Sequence, residues 1–197
     1  MMENDLDCQT IFSVGHSNHS MQEFVSLVNE FCINVLVDVR SHPYSRHAPQ
    51  FSLTGLSQEL EQKGMKYLYL GGELGGRPDD ECFYDDNGYV LYNEWSQSSL
   101  FLKGIERLEQ GVKKYRIVLM CSEESPVECH RRLLITPVLE RRGIRVMHIR
   151  RGARLESEAE LLKQELQPTL FKNPEGVTWK SIRSVLRKKQ PRNFSTS

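Results

Sequence analysis

The most reactive side chains crowd into one stretch, Arg116 to Arg132, which reads RIVLMCSEESPVECHRR. It holds Cys121, Glu123, Cys129, His130 and Arg131. A thiol near a helix start and a cation ionises readily, so Cys129 is the candidate nucleophile, with Arg131 favouring its thiolate. Cys121 and His130 complete a local catalytic set, and His130 or the distant His16 could act as acid or base. Asp38 and Glu123 could divide those two roles if their environments differ. Arg40 and Arg131, with Ser17 and a helix N-terminus, suit a phosphate or carboxylate.

Each assignment has a plainer counterpart. Free cysteine is among the most buried residue types, so Cys121 and Cys129 also read as small core hydrophobes. His130 shares a helical stripe with Leu134 and Val138, and Arg40 could simply pair with Asp38 or Glu123. Cys121, Cys129, His130 and His16 could converge on an ion, but the CxxC and HxxxH spacings of zinc sites are missing. No metal and no cofactor is expected. GGELGG at 71–76 lacks the GxGxxG spacing and a long following helix, so its glycines are expected to permit a turn beside the ligand rather than bind a dinucleotide.

The elements that must position these residues follow from periodicity. Thr10 to Gly15, Asn34 to Arg40, Lys66 to Leu70, Ile117 to Met120 and Arg145 to Ile149 are short apolar runs that read as strands. Helices are expected between them: after Ser20, which forms a capping box with Glu23; over Leu53, Leu56 and Leu60, closed by Gly64; and from about Ser99 to Gln110. A fourth is expected from Pro126, capped by Ser125 with Glu128 and kinked at Pro137. Strands alternating with helices predict an α/β fold, a mostly parallel, Rossmann-like open sheet of about five strands. All C-terminal strand ends then share one edge, which collects His16, Ser17, Asp38, Arg40, the glycines of 71–76 and Cys121 to Glu123, with His148 near it. Residues 77–97 read as an irregular loop over the sheet edge, a candidate lid.

GHS at 15–17, DVR at 38–40 with Pro43 and Ser45 just after, LGG at 74–76 and MCSEESPVECHR at 120–131 resemble the family catalogued as domain of unknown function number 488. The likeness runs from about Thr10 to Arg150. It implies an intracellular α/β domain with an active site, and assigns no reaction.

The α/β domain is expected over 8–152, with a helical extension over 153–190 and a disordered tail over 191–197. In the extension Ser157 and Glu160 cap a helix carrying Leu161, Leu162 and Leu166. Further on, Trp179, Ile182, Val185 and Leu186 recur at helical spacing, with Lys180, Arg183, Arg187, Lys188 and Lys189 opposite, a face that could lie on a nucleic-acid backbone. The 26 basic and 26 acidic residues cancel, so any basic surface is local. No apolar run reaches a membrane span, the acidic N-terminus is unlike a signal peptide, and five scattered cysteines are no disulfide framework; the cytoplasm is the expected location. The sequence thus predicts an enzyme, a hydrolase or group transferase, acting at the strand ends on a small anionic substrate or nucleic acid. The rival reading is a non-catalytic module that senses an anionic ligand or binds nucleic acid.

Overall fold

The computed structural model describes residues 9–44, 48–166 and 179–182. The expected helix over Arg183 to Lys189, the tail, and Ser45 lie outside these residues. In chain order the elements are β1 (Thr10–Gly15), α1 (Met21–Asn29), β2 (Val35–Asp38), α2 (Leu53–Gln62), β3 (Lys66–Tyr69), α3 (Gly71–Leu74), α4 (Tyr92–Trp95), α5 (Ser99–Val112), β4 (Ile117–Cys121), α6 (Thr136–Arg141), β5 (Arg145–Arg150), β6 (Arg154–Ser157) and α7 (Glu158–Leu166). The strands form one sheet in the order β3-β2-β4-β1-β5-β6. The first five are parallel and β6 runs antiparallel to β5.

Alternation along the strands splits the core into two layers. Phe12, Val14, Leu36, Val118 and Met120 face α1 and α2, where Phe24, Val28, Leu56 and Leu60 are buried. Ile11, Val37, Leu119 and Cys121 face the opposite way, against Phe101, Ile105 and Leu108 of α5 and Val138 and Leu139 of α6. Period two in the strands and period 3.6 in the helices thus make a sheet covered on both faces. The β4–β1 pair lies at the centre. The connection leaving β1 passes over one face and that leaving β4 over the other, which is the topological switch point of an open parallel sheet.

The capping boxes foreseen at Ser20–Glu23 and Ser157–Glu160 both form. Two other expectations are corrected. Residues 77–97 are no loose cover: Val90, Tyr92 and Trp95 are wholly or almost wholly buried, and Trp95 Nε1 donates to Gly75 O at 3.1 Å. Three large apolar side chains drew this irregular segment into the core. Trp179 to Ile182 do not open a helix; Lys180 bridges to Leu91 and Ser181 N donates to Val90 O at 2.8 Å. The segment instead pairs with 90–91, so its backbone bonds go across rather than along the chain. Among the described residues no helix is long and apolar enough to cross a membrane.

Candidate active site

The expected helix beginning at Pro126 starts later. The Ser125 hydroxyl accepts from Val127 N at 3.4 Å, residues 126–129 form a turn, and the helix proper opens at His130 with one π-helical turn, Arg131–Ile135, before α6. Pro137 explains this shape. It has no N–H, and the carbonyl four residues back, Leu133 O, would be left without a partner. Trp179 Nε1 supplies it at 2.9 Å, while the Thr136 hydroxyl donates to Arg131 O at 2.9 Å. Isolated π turns recur at functional sites, and this one carries the residues that follow Cys129.

Cys121 closes β4, and its side chain meets Cys129 and His130 in the core layer against α5 and α6. Cys121 Sγ lies 3.0 Å from Glu123 Oε2 and 3.7 Å from His130 Nδ1. Cys129 Sγ lies 3.5 Å from the same carboxylate oxygen and 3.9 Å from the same nitrogen. The other ring nitrogen, His130 Nε2, is 2.9 Å from Val39 O. A carbonyl only accepts, so Nε2 carries a proton and Nδ1 faces the sulfurs. All three side chains are buried, and Glu123 reaches them from the solvent side.

Burial alone would raise the Cys129 thiol, but its hydrogen bond with Cys121 and the nearby Arg131 and His130 charges hold it well below the usual range. Cys121 is pushed up by the hydrogen bond with Cys129 and by burial. For His130, burial works to lower the pKa, yet the bond to Cys129 raises it overall. These three groups share charge as one unit.

A pocket of about 80 Å³ opens onto the cluster, between the β4 end and the β2 end. Its wall includes Arg40, His42, Arg77, Ser122 and Glu128 beside the cluster residues. Gly76 lies flat on the His130 ring: a Cβ there would stand 2.8 Å from His130 Cγ. At Gly71 a Cβ would fall 2.0 Å from Arg40 O, so Gly71 and Gly76 permit close approach to the site walls, while Gly72 has nothing within 4 Å.

The structure separates the sequence candidates by role. Cys121, Glu123, Cys129, His130 and Arg40 line the pocket; His16, Ser17, Asp38 and Arg131 do not. Asp38 is fully buried and both its oxygens are engaged: Oδ1 accepts from Arg40 Nε at 2.9 Å, and Oδ2 accepts from Arg40 Nη2 at 2.6 Å and Tyr67 OH at 2.8 Å. It orients Arg40. His16 Nδ1 bonds Ser17 O at 2.9 Å and Nε2 faces Arg40 Nη1 at 3.1 Å, with the ring stacked on Phe51. Facing a guanidinium, Nε2 must accept; burial holds His16 down at about 4, and the ring is neutral. Arg131, also fully buried, donates to Glu123 O at 2.5 Å and Glu124 O at 2.7 Å. It clamps the loop after β4. Ser17 sits at φ 45°, where an L-residue is strained, and its N–H continues the ladder to Ser122 O at 2.9 Å. His148 is not at the edge: it is buried mid-strand, with Nδ1 2.6 Å from Ser13 Oγ.

Sequence reasoning missed His42, Arg77 and Glu128 as wall residues. The first two directly follow DVR and GGELGG, so extending each motif by one or two residues would have found them. Neither a curated protein nor a solved structure matches this chain. A family match covers residues 20–137, more than half of the chain, and includes Arg40, Cys121, Glu123, Cys129 and His130. By that match, the chain belongs to the family described as Domain of unknown function DUF488.

Proposed function

We propose that this pocket is the active site of a hydrolase or group transferase acting on a small anionic substrate, a nucleotide or other phosphate ester. The observation that carries the reading is convergence: Cys121, Glu123, Cys129 and His130 meet at the end of the central strand, in one pocket with Arg40. Arg40 is held by Asp38, His16 and Phe51 O, which use four of its five N–H groups. The remaining one on Nη1, with Arg77 beside it, contacts the anion. Glu123, the most exposed of the acid–base candidates, handles the proton.

The pocket's volume of about 80 Å³ suits a phosphate-sized group. Lys180, the first residue of the basic C-terminal stripe, is paired with Asp85 at the surface, and Trp179 of the opposite, apolar face donates to Leu133 O. Both points favour a small substrate over nucleic acid. The connections leaving β2 and β4 also pass over opposite faces, and a crevice between two such strand ends is where Rossmann-like folds hold nucleotides. The four cysteines among the described residues are free, which fits a reducing compartment, the cytoplasm.

The test is turnover of a panel of nucleotides and simple phosphate esters by the full chain. Glu123→Gln is expected to lower turnover at least ~100-fold, the scale of general acid–base catalysis, while leaving binding of the anion intact. Saturable binding of those compounds with no turnover would move the protein to the class of ligand-sensing modules.

A further inference from the structure

We propose that Cys121, Cys129 and His130 form a binding site for a divalent transition metal of the zinc class, with its fourth position open to the pocket. Their ligand atoms all lie within 4.8 Å of one another. With Zn–S about 2.3 Å and Zn–N about 2.0 Å, a tetrahedral centre places sulfur and nitrogen about 3.5 Å apart. The two sulfur–nitrogen distances here are 3.7 and 3.9 Å. A shift of a few tenths of an ångström brings each sulfur–nitrogen pair to that spacing.

Two further observations point the same way. His130 Nε2 donates to Val39 O, the outer bond that fixes a metal-binding imidazole in the tautomer with a free Nδ1. Tyr92, packed in the same buried cluster, has a hydroxyl with no partner among the described residues. An ion that turns both thiols into thiolates gives that hydroxyl strong acceptors nearby. The sequence expectation of no metal rested on spacing. Cys121 lies on a strand and Cys129 and His130 at a helix entrance, so CxxC never had to occur.

Two thiolates, one imidazole and a free position are the pattern of a catalytic rather than a structural zinc centre. Glu123 Oε2, 3.0 and 3.5 Å from the sulfurs, flanks that free position. This deepens the hydrolase reading and rests on it for its chemistry. Held by Cys121, Cys129 and His130, such an ion would supply Lewis acidity to a water; Glu123 would accept that water's proton as its oxygen bonds to phosphorus. The ester P–O bond breaks, and the leaving oxygen takes the proton back from Glu123.

The experiment is metal binding by the full chain, independent of activity. Protein freed of metal by a chelator is titrated with Zn(II), and with Co(II) for its thiolate-to-metal absorption. One equivalent is expected, with tetrahedral cobalt bands and two thiols newly protected from alkylation. Cys129→Ser and His130→Gln should weaken binding at least ~10-fold, the lower end for a disturbed metal site. Cys82→Ser, at an exposed thiol outside the cluster, should leave it unchanged. Circular dichroism checks that each variant is folded, and Cys121→Ser serves if another is not. Folded, reduced wild-type protein that takes up no ion, or binding that survives Cys129→Ser unchanged, overturns the site. Metal bound without turnover upholds it and sinks the hydrolase reading; turnover by verified metal-free protein upholds that reading and removes the ion from its chemistry, the binding site being judged by the titration.

Discussion

His16 is a pH-sensitive residue that the sequence placed among the catalysts. Folded, it titrates at about 4; in the unfolded chain it regains its ordinary 6.5. Between these values the unfolded chain binds a proton that the folded chain refuses, so stability falls as pH drops from 6.5 to 4 and is unaffected by this group above that window. The full difference is on the order of 3 kcal/mol. Urea midpoints measured from pH 7 to pH 4 should therefore decline, and His16→Gln, which keeps an acceptor toward Arg40, should flatten that decline. An unchanged slope in the variant would assign the acid sensitivity elsewhere. That His16, Asp38 and Arg40 close or follow strands was legible in the sequence, and so was their gathering at one edge. Which way their side chains turn was not. The outcome depends on Tyr67 OH, Phe51 O and the Phe51 ring, contacts set by packing and not by any motif.

At the scale of elements, the helix entrance shows how a correct local pattern can be outvoted. Ser125, Pro126 and Glu128 spell a capping box, yet the helix begins at His130. Cys129 N donates to Pro126 O at 3.0 Å, and Arg131 pulls the 123–124 carbonyls inward. This tertiary clamp competes with the local cap. The missing N–H of Pro137 then makes Trp179 a structural partner of the π turn. Trp179→Phe should cost about 1–3 kcal/mol, the range for a buried acceptor left unsatisfied. In a Pro137→Ala background the regained N–H can serve Leu133 O, so the same substitution should cost less. A double-mutant cycle by urea denaturation measures the difference, and strict additivity would count against the link.

For the whole molecule, the alternation of strands and helices was enough to foresee a parallel sheet with helices on both faces. Strand order was not readable, and β6 went unforeseen because RLES carries only one apolar residue. Order matters here: β4 lies between β1 and β2, so the first three strands do not form a sheet without it. Among them only β2 and β3 are neighbours, and two bare strands are marginal in water. A fragment ending at Tyr115 should show little strand signal in far-ultraviolet circular dichroism and no cooperative thermal transition. A sharp transition in that fragment would mean that the N-terminal half folds on its own.

The chain has two tryptophans, and each spends its indole N–H on a backbone carbonyl of the pocket's framework. Trp95 holds Gly75, next to the glycine that lies on His130; Trp179 holds Leu133, three residues beyond His130. Indole emission responds to the polarity and hydrogen bonding of that N–H. The protein therefore carries intrinsic optical reporters on both sides of its site, and occupancy of the pocket is open to measurement by fluorescence with no label attached.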